Sequence, residues 1–339
     1  MIRNTTLNKA KDAKNDEFYT CYEDIQAELN HYEKHFENKT VFCNCDDPFE
    51  SNFCKFFLKN FNYLKLKRLI CTSYSASYIV GQQMTIFDLL GDPVVAGNGY
   101  VIDISEVPMA NGRGVSDTDI DKMLKSKKRG VKKLSGDGDF RSDECIKLLQ
   151  QADIVVTNPP FSLFREYMAL LLEYGKQFLI IGNQNALHYK EIFPLLKENK
   201  LWIGYNHVKE FIKPDGSSQK FGNVLWYTNV DISKRHEELI MFKEYNSDEY
   251  LHYMNFDGID VSKISDIPCD YYGYMGVPDT FMNCYNPDQF VICGLSTGDT
   301  AKAIGIKKNY RGRTDLAYIK DGKPSCPFSR IIIKQKENK

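Results

Sequence analysis

The sequence Asn158-Pro159-Pro160-Phe161 combines residue types that could bind a planar amino group. An asparagine side-chain oxygen and a turn carbonyl both accept hydrogen bonds, and together they suit an NH2 group attached to a ring. Phe161 offers a flat face against which such a ring can stack. Asn-Pro is also a common turn signal, so the alternative is a plain strand-ending turn with a packed phenylalanine.

These four residues follow an apolar run that is typical of a buried strand. Other runs of this kind lie between stretches of helical periodicity, and alternating strands and helices predict an α/β fold with a doubly wound, mostly parallel sheet. Ligands bind at the carboxyl ends of the strands in such sheets. The predicted strands are 40–44, 68–74, 153–157, 177–182, 201–204 and 224–228; the predicted helices are 51–61, 142–151, 163–174 and 190–200, with Pro194 arguing against an unbroken last helix.

Composition narrows the class of protein. The chain has 339 residues, 42% of them hydrophobic, which excludes a disordered or fibrous protein. The formal net charge is -1, and this neutral total does not exclude a nucleic-acid partner, because binding depends on where the charges lie. We find no apolar signal segment and no run long enough to span a membrane, so we expect a cytoplasmic protein.

Cysteine and histidine spacing gives little support for a metal site. The 10 cysteines have no regular spacing, which favours free thiols in a reducing compartment. Cys43 and Cys45 form a C-x-C pair without a second pair at zinc-ligand spacing, so core packing is favoured over metal binding. His31 and His35 have no evident third ligand and are expected on a surface helix.

Two segments interrupt the alternation of strands and helices. Residues 77–132 are rich in Gly, Asp and Lys and are interpreted as an insertion. Its run of basic residues around Lys127, Lys128 and Arg129 is either a solvated face or a loop that contacts DNA phosphates. After Asp231 the sequence becomes aromatic-rich, which predicts a second, smaller domain or an elaborated cap. We find no P-loop and no G-x-G-x-x-G motif, which argues against P-loop nucleotide hydrolysis and against NAD or FAD.

Asn-Pro-Pro-Phe resembles the catalytic motif of S-adenosylmethionine-dependent amino-methyltransferases. Other motifs of the chain occur in a matching order, and the whole run resembles the EcoRI-type adenine-specific DNA methyltransferase family, of the gamma group, from about residue 3 to the C-terminus. The motifs are DEFYT at 16–20, CNCDDP at 43–48, SGDGDF at 135–140, NPPFSLFREY at 158–167, FLIIGNQNA at 178–186, LWYTNVD at 225–231 and DYYGYMGVP at 270–278.

The resemblance implies a fold, a cofactor and a partner. The fold is a Rossmann-like S-adenosylmethionine-dependent methyltransferase fold with a smaller C-terminal target-recognition region. Residues 1–230 would form the S-adenosylmethionine-binding catalytic domain, with the insertion at about 77–132, and 231–339 the target-recognition, DNA-binding region. The partner would be duplex DNA, and a cognate restriction endonuclease acting separately is a further possible partner.

The resemblance also assigns roles to individual residues. Many methyltransferases have a glycine-rich turn after the first strand and an acid after the second, and this sequence has neither. Asn158 and Phe161, in the turn fixed by Pro159 and Pro160, would hold the target base. The residues implied for the cofactor are Phe18, Tyr19 and Thr20 at its methionine end; Asn44, Cys45, Asp46 and Asp47 after the first strand; Ser73 after the second; Asp139 and Phe140 at its adenine; and Asn158.

The implied reaction is direct methyl transfer to the N6 amino group of an adenine. Asn158 and the Pro159 carbonyl would accept hydrogen bonds from this group, after the base has rotated out of the duplex. Two alternatives stay open: a methyltransferase of the same fold acting on RNA or on a protein glutamine amide, and a degenerate relative that binds DNA without chemistry.

Overall fold

The computed structural model describes residues 19–45, 51–74, 99–108, 115–116, 118–120, 131–212 and 217–337. They form two compact units. The first contains the described residues up to Gln184 together with Gly204–Val230, and the second contains Asn185–Ile203 together with the residues from Asp231 onward. Residues 185–203, which lie before the predicted domain boundary at 230, therefore belong with the unit that follows it.

A nine-stranded sheet forms the centre of the first unit. Its strand order is β1-β8-β9-β7-β6-β2-β3-β4-β5. The strands are β1 (Tyr19–Thr20), β2 (Thr40–Cys43), β3 (Arg68–Thr72), β4 (Tyr100–Ile104), β5 (Val131–Lys133), β6 (Ile154–Thr157), β7 (Gln177–Asn183), β8 (Trp202–Ile212) and β9 (Ser218–Thr228).

The sheet is mixed, which corrects the prediction of a mostly parallel sheet. Its centre is parallel, with β2 pairing with β3 and β6, and β6 with β7. Its flanks are antiparallel, where β4 joins β3 and β9 joins β7. Short apolar runs identify buried strands but do not encode the direction of a neighbouring strand, so the sequence pattern does not reveal this difference.

Helices in the first unit follow the predicted apolar spacing. Ser51 and Ser142 each cap the helix that follows, accepting hydrogen bonds from the N–H groups of Phe53 (3.1 Å) and Cys145 (3.3 Å). The predicted helices at 51–61, 142–151 and 163–174 are confirmed. The helices are α1 (Tyr22–Leu29), α2 (Glu33–Phe36), α3 (Asn52–Asn60), α4 (Asp143–Gln151) and α5 (Phe164–Glu173).

The second unit contains a five-stranded sheet and a separate two-stranded ribbon. The sheet order is β10-β11-β12-β16-β13, and β14 pairs with β15 in the ribbon. The elements are α6 (Phe193–Lys197), β10 (Leu251–His252), β11 (Gly258–Asp260), β12 (Tyr274–Val277), β13 (Phe290–Leu295), α7 (Gly298–Ala303), β14 (Tyr318–Lys320), β15 (Lys323–Ser325) and β16 (Ile331–Gln335).

Helix α6 is shorter than the predicted helix at 190–200. Pro194 lies in its first turn, where a missing N–H costs no intrahelical hydrogen bond. The proline is therefore compatible with this helix, which begins one residue earlier at Phe193. Among the described residues, no helix has the length and apolar character that crossing a bilayer requires.

Candidate active site at the carboxyl edge of the parallel strands

The ends of three parallel strands bring together turns that are far apart in the sequence. Asn44 follows β2, Ser73 follows β3 and Asn158 follows β6. The N–H of Cys45 donates a 3.2 Å hydrogen bond to the hydroxyl of Thr157, the last residue of β6. This bond ties the Asn44 turn to the Asn158 turn, so residues predicted for the cofactor and for the target base share one edge of the sheet.

Two prolines shape the turn after β6. Pro159 is buried and Pro160 half-buried, and neither has a backbone N–H. The carbonyl of Pro160 accepts a 2.9 Å hydrogen bond from the N–H of Leu163, which closes the short 3-10 helix Phe161–Leu163. In the described part of the chain, no group donates a hydrogen bond to the carbonyl of Pro159. The residue after Asn158 thus has a carbonyl oxygen with unused acceptor capacity among the described residues.

Phe161 connects this turn to the N-terminal strand. Its half-buried ring meets the ring of Phe211 edge-on, with centroids 6.2 Å apart. Phe211 lies in β8 and pairs with Thr20 in β1, while Tyr19 pairs with Ile212. The hydroxyl of Thr20 is buried and has no hydrogen-bond partner among the described residues. Two of the predicted cofactor residues therefore lie one strand away from the ring that contacts Phe161.

Asn44 is held by a residue whose role the sequence did not reveal. The hydroxyl of Tyr167, which is fully buried on α5, donates a hydrogen bond to Oδ1 of Asn44. The amide nitrogen of Asn44 is buried, and within the described ranges it has no partner. Sequence reasoning placed Tyr167 only on the apolar face of a helix. A phenol on a buried face needs a polar partner, and this was the available signal.

Phe140 completes an aromatic contact between two of the motifs. Its ring is buried and meets the ring of Tyr167 edge-on, with centroids 5.0 Å apart and planes at 81°. Because Tyr167 also binds Asn44, one tyrosine connects the loop after β5 to the turn after β2.

Asp139 is paired with an arginine that sequence reasoning missed. Its carboxylate accepts hydrogen bonds from Nε of Arg141 at 2.9 Å and from Nη2 at 2.7 Å. Arg141 also contacts Glu166 of α5 at 3.0 Å. The hydrogen bonds from Arg141 lower the pKa of Asp139 below its usual range, so the carboxylate is ionised at neutral pH. The i, i+2 spacing of opposite charges was the only signal in the sequence.

The loop that carries Asp139 rests on the end of β3. Gly138 has a φ of 83°, and a Cβ there would lie 2.0 Å from the carbonyl oxygen of Ser73. Only glycine allows this approach. The hydroxyl of Ser73 accepts a 2.9 Å hydrogen bond from the N–H of Tyr100, so it helps to join β3 to β4. A contact between Ser73 and the cofactor stays a prediction.

Some predicted site residues lie outside the described ranges. Among the described residues there is no cluster of His, Cys, Asp and Glu suited to a metal ion, and none of the ten cysteines forms a disulfide. Cys43 is buried and Cys45 half-buried. The residues outside the described ranges are Phe18, Asp46, Asp47, Lys127, Lys128 and Arg129.

The whole chain resembles a known group of enzymes. Residues 6–336 match the family described as "Adenine-specific methyltransferase EcoRI". The chain belongs to this family. It is 41% identical to the type II methyltransferase M.EcoRI of Escherichia coli over 359 aligned positions, covering 99% of each chain. It is 35% identical to M.MpnI of Mycoplasma pneumoniae, covering 98% of each chain. No solved structure matches significantly.

Family membership confirms the predicted class of enzyme, an adenine-specific methyltransferase. A third relative, the type II methyltransferase M.MgeORF184P of Mycoplasma genitalium, is also 35% identical and covers 98% of this chain. The similarity therefore extends over both compact units.

Proposed function

We propose that this chain transfers a methyl group from S-adenosylmethionine to the N6 amino group of an adenine in duplex DNA. The observation that supports this most strongly is the geometry of the turn after β6. Asn158 lies beside the Pro159 carbonyl, which accepts no hydrogen bond from the described residues. An exocyclic amino group has two N–H donors, so one can go to each acceptor.

The residues at this edge fit S-adenosylmethionine. Asn44 and Thr20 offer buried polar atoms without partners in the described ranges, and buried polar groups of this kind normally have partners. Asp139 is an anionic acceptor for an adenine amino group, and Phe140 is an apolar neighbour for its ring. We assign to the cofactor the described residues Tyr19, Thr20, Asn44, Cys45, Ser73, Asp139, Phe140 and Asn158, together with Phe18, Asp46 and Asp47.

The chain's own contribution to the reaction is positioning. S-adenosylmethionine, when bound, supplies a methyl group activated by a sulfonium. The N6 lone pair of adenine is delocalised into the ring, and hydrogen bonds to Asn158 and Pro159 favour a more tetrahedral, more nucleophilic nitrogen. Phe161 fixes the plane of the ring by stacking. Alignment of the reacting atoms then supplies a large part of the rate, and no general base is needed before transfer.

The target nitrogen is not reachable within a duplex, so the base rotates out of the stack. Unstacking costs a few kcal/mol, which contacts with the flipped base and with phosphates offset. We propose that the second unit, which includes residues 231–339, contains the target-recognition region. The type II methyltransferases among the relatives favour a restriction-modification context with a separate endonuclease. The absence of disulfides among the ten cysteines, all of them in the described part of the chain, fits a reducing cytoplasm.

The alternative is a methyltransferase that acts on RNA. Membership of an adenine-specific family disfavours a protein glutamine amide as the substrate. An adenine in RNA presents the same amino group to the turn after β6. The turn therefore does not distinguish DNA from RNA, and the two must be compared directly as substrates.

Labelled S-adenosylmethionine tests the function directly. The protein is incubated with unmethylated genomic DNA, total RNA and a protein extract in parallel, and modified bases are mapped by single-molecule sequencing. We expect N6-methyladenine in one short DNA motif. Label in RNA or protein but not in DNA would overturn the proposal, as would cofactor binding without transfer to any of the three.

A further inference from the structure

In the second unit, a buried arginine has a carboxylate partner, whereas a group of exposed cations does not. Arg330 is buried, and its Nε lies 3.0 Å from Oδ1 of Asp260. Tyr253 and Ser262 each donate a further 2.8 Å hydrogen bond to the same carboxylate. The buried cation therefore has a carboxylate partner that is itself hydrogen-bonded, as desolvated charge requires.

Six exposed cations have no such compensation. They lie between residues 307 and 323, a segment with only two carboxylates in a chain whose formal net charge is -1. Within the described part of the chain, none of the six has a carboxylate within 4.0 Å. They are Lys307, Lys308, Arg311, Arg313, Lys320 and Lys323, and with Phe328 they define what we term the basic surface.

The loop that carries four of these cations is fixed in place. The side chain of Asn255 donates hydrogen bonds to the carbonyls of Lys307 (2.7 Å) and Asp315 (2.8 Å), at the two ends of the loop. On either side, Ile306 and Leu316 insert into one apolar cluster. The loop conformation is thus set before any partner binds, which lowers the entropic cost of binding.

Asn309 orders the interior of the same loop. Its side-chain oxygen accepts hydrogen bonds from the N–H groups of Arg311 (2.8 Å) and Arg313 (3.3 Å). Its amide nitrogen lies 3.5 Å from the sulfur of Cys326, just beyond β15. The loop and the ribbon are therefore in contact and form one continuous surface.

The ribbon places like charges opposite each other. Lys320 pairs across the strands with Lys323, on either side of a two-residue turn at Asp321 and Gly322, both with positive φ. Like charges in directly opposed positions destabilise a ribbon unless an anion lies between them. A two-stranded ribbon also has the width that the major groove of B-DNA admits.

Phe328 supplies an apolar group on the same surface. It is 91% exposed and lies two residues after Cys326, the residue that contacts the loop. A phenylalanine left in water two residues beyond a contact of the cationic loop gains most when it packs against an apolar partner that carries negative charge around it. Stacked bases between two rows of phosphates have this arrangement.

We propose that the basic surface is the duplex-DNA contact of this chain, with its six cations on the phosphates and Phe328 against the bases. This inference rests on the proposed function, and it names the surface that binds the substrate.

Salt dependence of binding tests the phosphate contacts. The test variant combines Lys308→Gln, Arg311→Gln, Lys320→Gln and Lys323→Gln. The control combines Lys34→Gln, Lys39→Gln, Lys65→Gln and Lys67→Gln, which remove the same charge near the amino ends of β2 and β3. Affinity is measured by fluorescence anisotropy from 50 to 300 mM salt, for an unmethylated DNA duplex that contains the motif identified by sequencing. A duplex RNA of the same sequence is measured in parallel.

We expect the slope of log Kd against log salt to fall by about 3 to 4 in the test variant, at about 0.9 for each phosphate that the protein no longer neutralises. Affinity at 100 mM salt should fall at least about tenfold, and the control should keep the wild-type slope. Equal slopes in test and control, or a weakening confined to RNA, would overturn the proposal. If the wild type methylates DNA but the test and control variants have equal slopes, the basic surface is rejected as the DNA contact and the proposed function stands. If the wild type does not methylate DNA, the proposed function is rejected.

Phe328→Ala tests the apolar contact, with Phe242→Ala as its control because Phe242 is also exposed, by 76%. We expect Phe328→Ala to lower duplex affinity at least about fivefold and Phe242→Ala to leave it unchanged. Equal affinities of the two variants would contradict the assignment of Phe328.

A single substitution keeps the salt test usable if the variant with four substitutions does not fold. Lys320→Gln alone should be as stable as wild type, since it removes a like-charge pair, and it should still lower the slope by about 0.9.

Discussion

The turn after β6 and the basic surface differ in which atoms the surrounding structure holds in place. In the first unit, the atoms that surround Asn158 are packed, and neighbouring side chains such as Tyr167 and Thr157 hold the turns together. On the basic surface of the second unit, the backbone is fixed by Asn255 and Asn309, while the charged side chains have no carboxylate within 4.0 Å among the described residues. One region fixes side chains and the other fixes only the loop that carries them.

This difference corresponds to two kinds of task. Chemistry on a weak nucleophile requires atoms within a fraction of an ångström of their productive positions. Attraction to phosphates acts over the Debye length and tolerates flexible side chains. We therefore expect changes near Asn158 to alter turnover and changes on the basic surface to alter affinity.

The largest effect is expected for Asn158→Ala. Loss of an acceptor that acts on the reacting group should lower kcat at least about 100-fold, far more than it weakens the binding of S-adenosylmethionine measured by calorimetry. Thr157→Val, which removes only the hydroxyl that receives the Cys45 N–H, serves as a comparison for disturbance of the turn. If the turnover of Asn158→Ala stays within about threefold of wild type, the expectation that changes near Asn158 alter turnover is wrong, and the two regions do not differ in this way.

Asp139→Asn is expected to act on cofactor binding. Replacing an anionic acceptor by a neutral amide should weaken a charge-assisted hydrogen bond and release Arg141. We expect about a tenfold loss of affinity for S-adenosylmethionine, equivalent to about 1.4 kcal/mol, with duplex affinity unchanged. An unchanged calorimetric Kd for the cofactor would exclude Asp139 from its site.

Arg313→Gln tests the expectation that changes on the basic surface alter affinity for DNA and not turnover. Removing a single phosphate contact should lower the salt slope of duplex binding by about 0.9 and raise KM for DNA. The kcat measured at saturating DNA should stay at the wild-type value because Arg313 holds no reacting atom. A fall in kcat without a change in KM would place this residue in the chemical step.

The smallest effect is expected for the pair formed by Asp139 and Arg141. Because Arg141 lowers the pKa of Asp139, the pair stabilises the folded state above the unfolded pKa of the carboxyl, and this contribution is lost as pH falls through the folded pKa. Arg141→Ala should therefore be less stable than wild type at pH 7, by below about 1 kcal/mol for so exposed a pair. Urea unfolding should show the difference persisting from pH 7 down to about pH 4 and shrinking below pH 3.8, the unshifted value of the carboxyl, and a difference that grows with acidity would contradict this assignment.

Much of the first unit was predictable because local signals agree with its structure. Apolar runs gave the central strands, and Ser51 and Ser142 marked two helix starts through the ordinary chemistry of capping. Pro194 was interpreted as a helix breaker, although it lies in the first turn of α6. Proline is compatible with either position, and the packing of the preceding residues decides which applies.

The sequence by itself determined the order of the motifs and the family, and it predicted the turn that carries Asn158 as the reacting turn. These depend on residue types that are contiguous in the chain. Only the tertiary structure decided that the sheet is mixed, that Tyr167 binds Asn44, that Arg141 pairs with Asp139, and that residues 185–203 pack with the second unit. Strand direction, buried hydrogen bonds and packing partners join residues that are distant in sequence, and no local pattern of apolar or charged residues specifies which distant group is the partner.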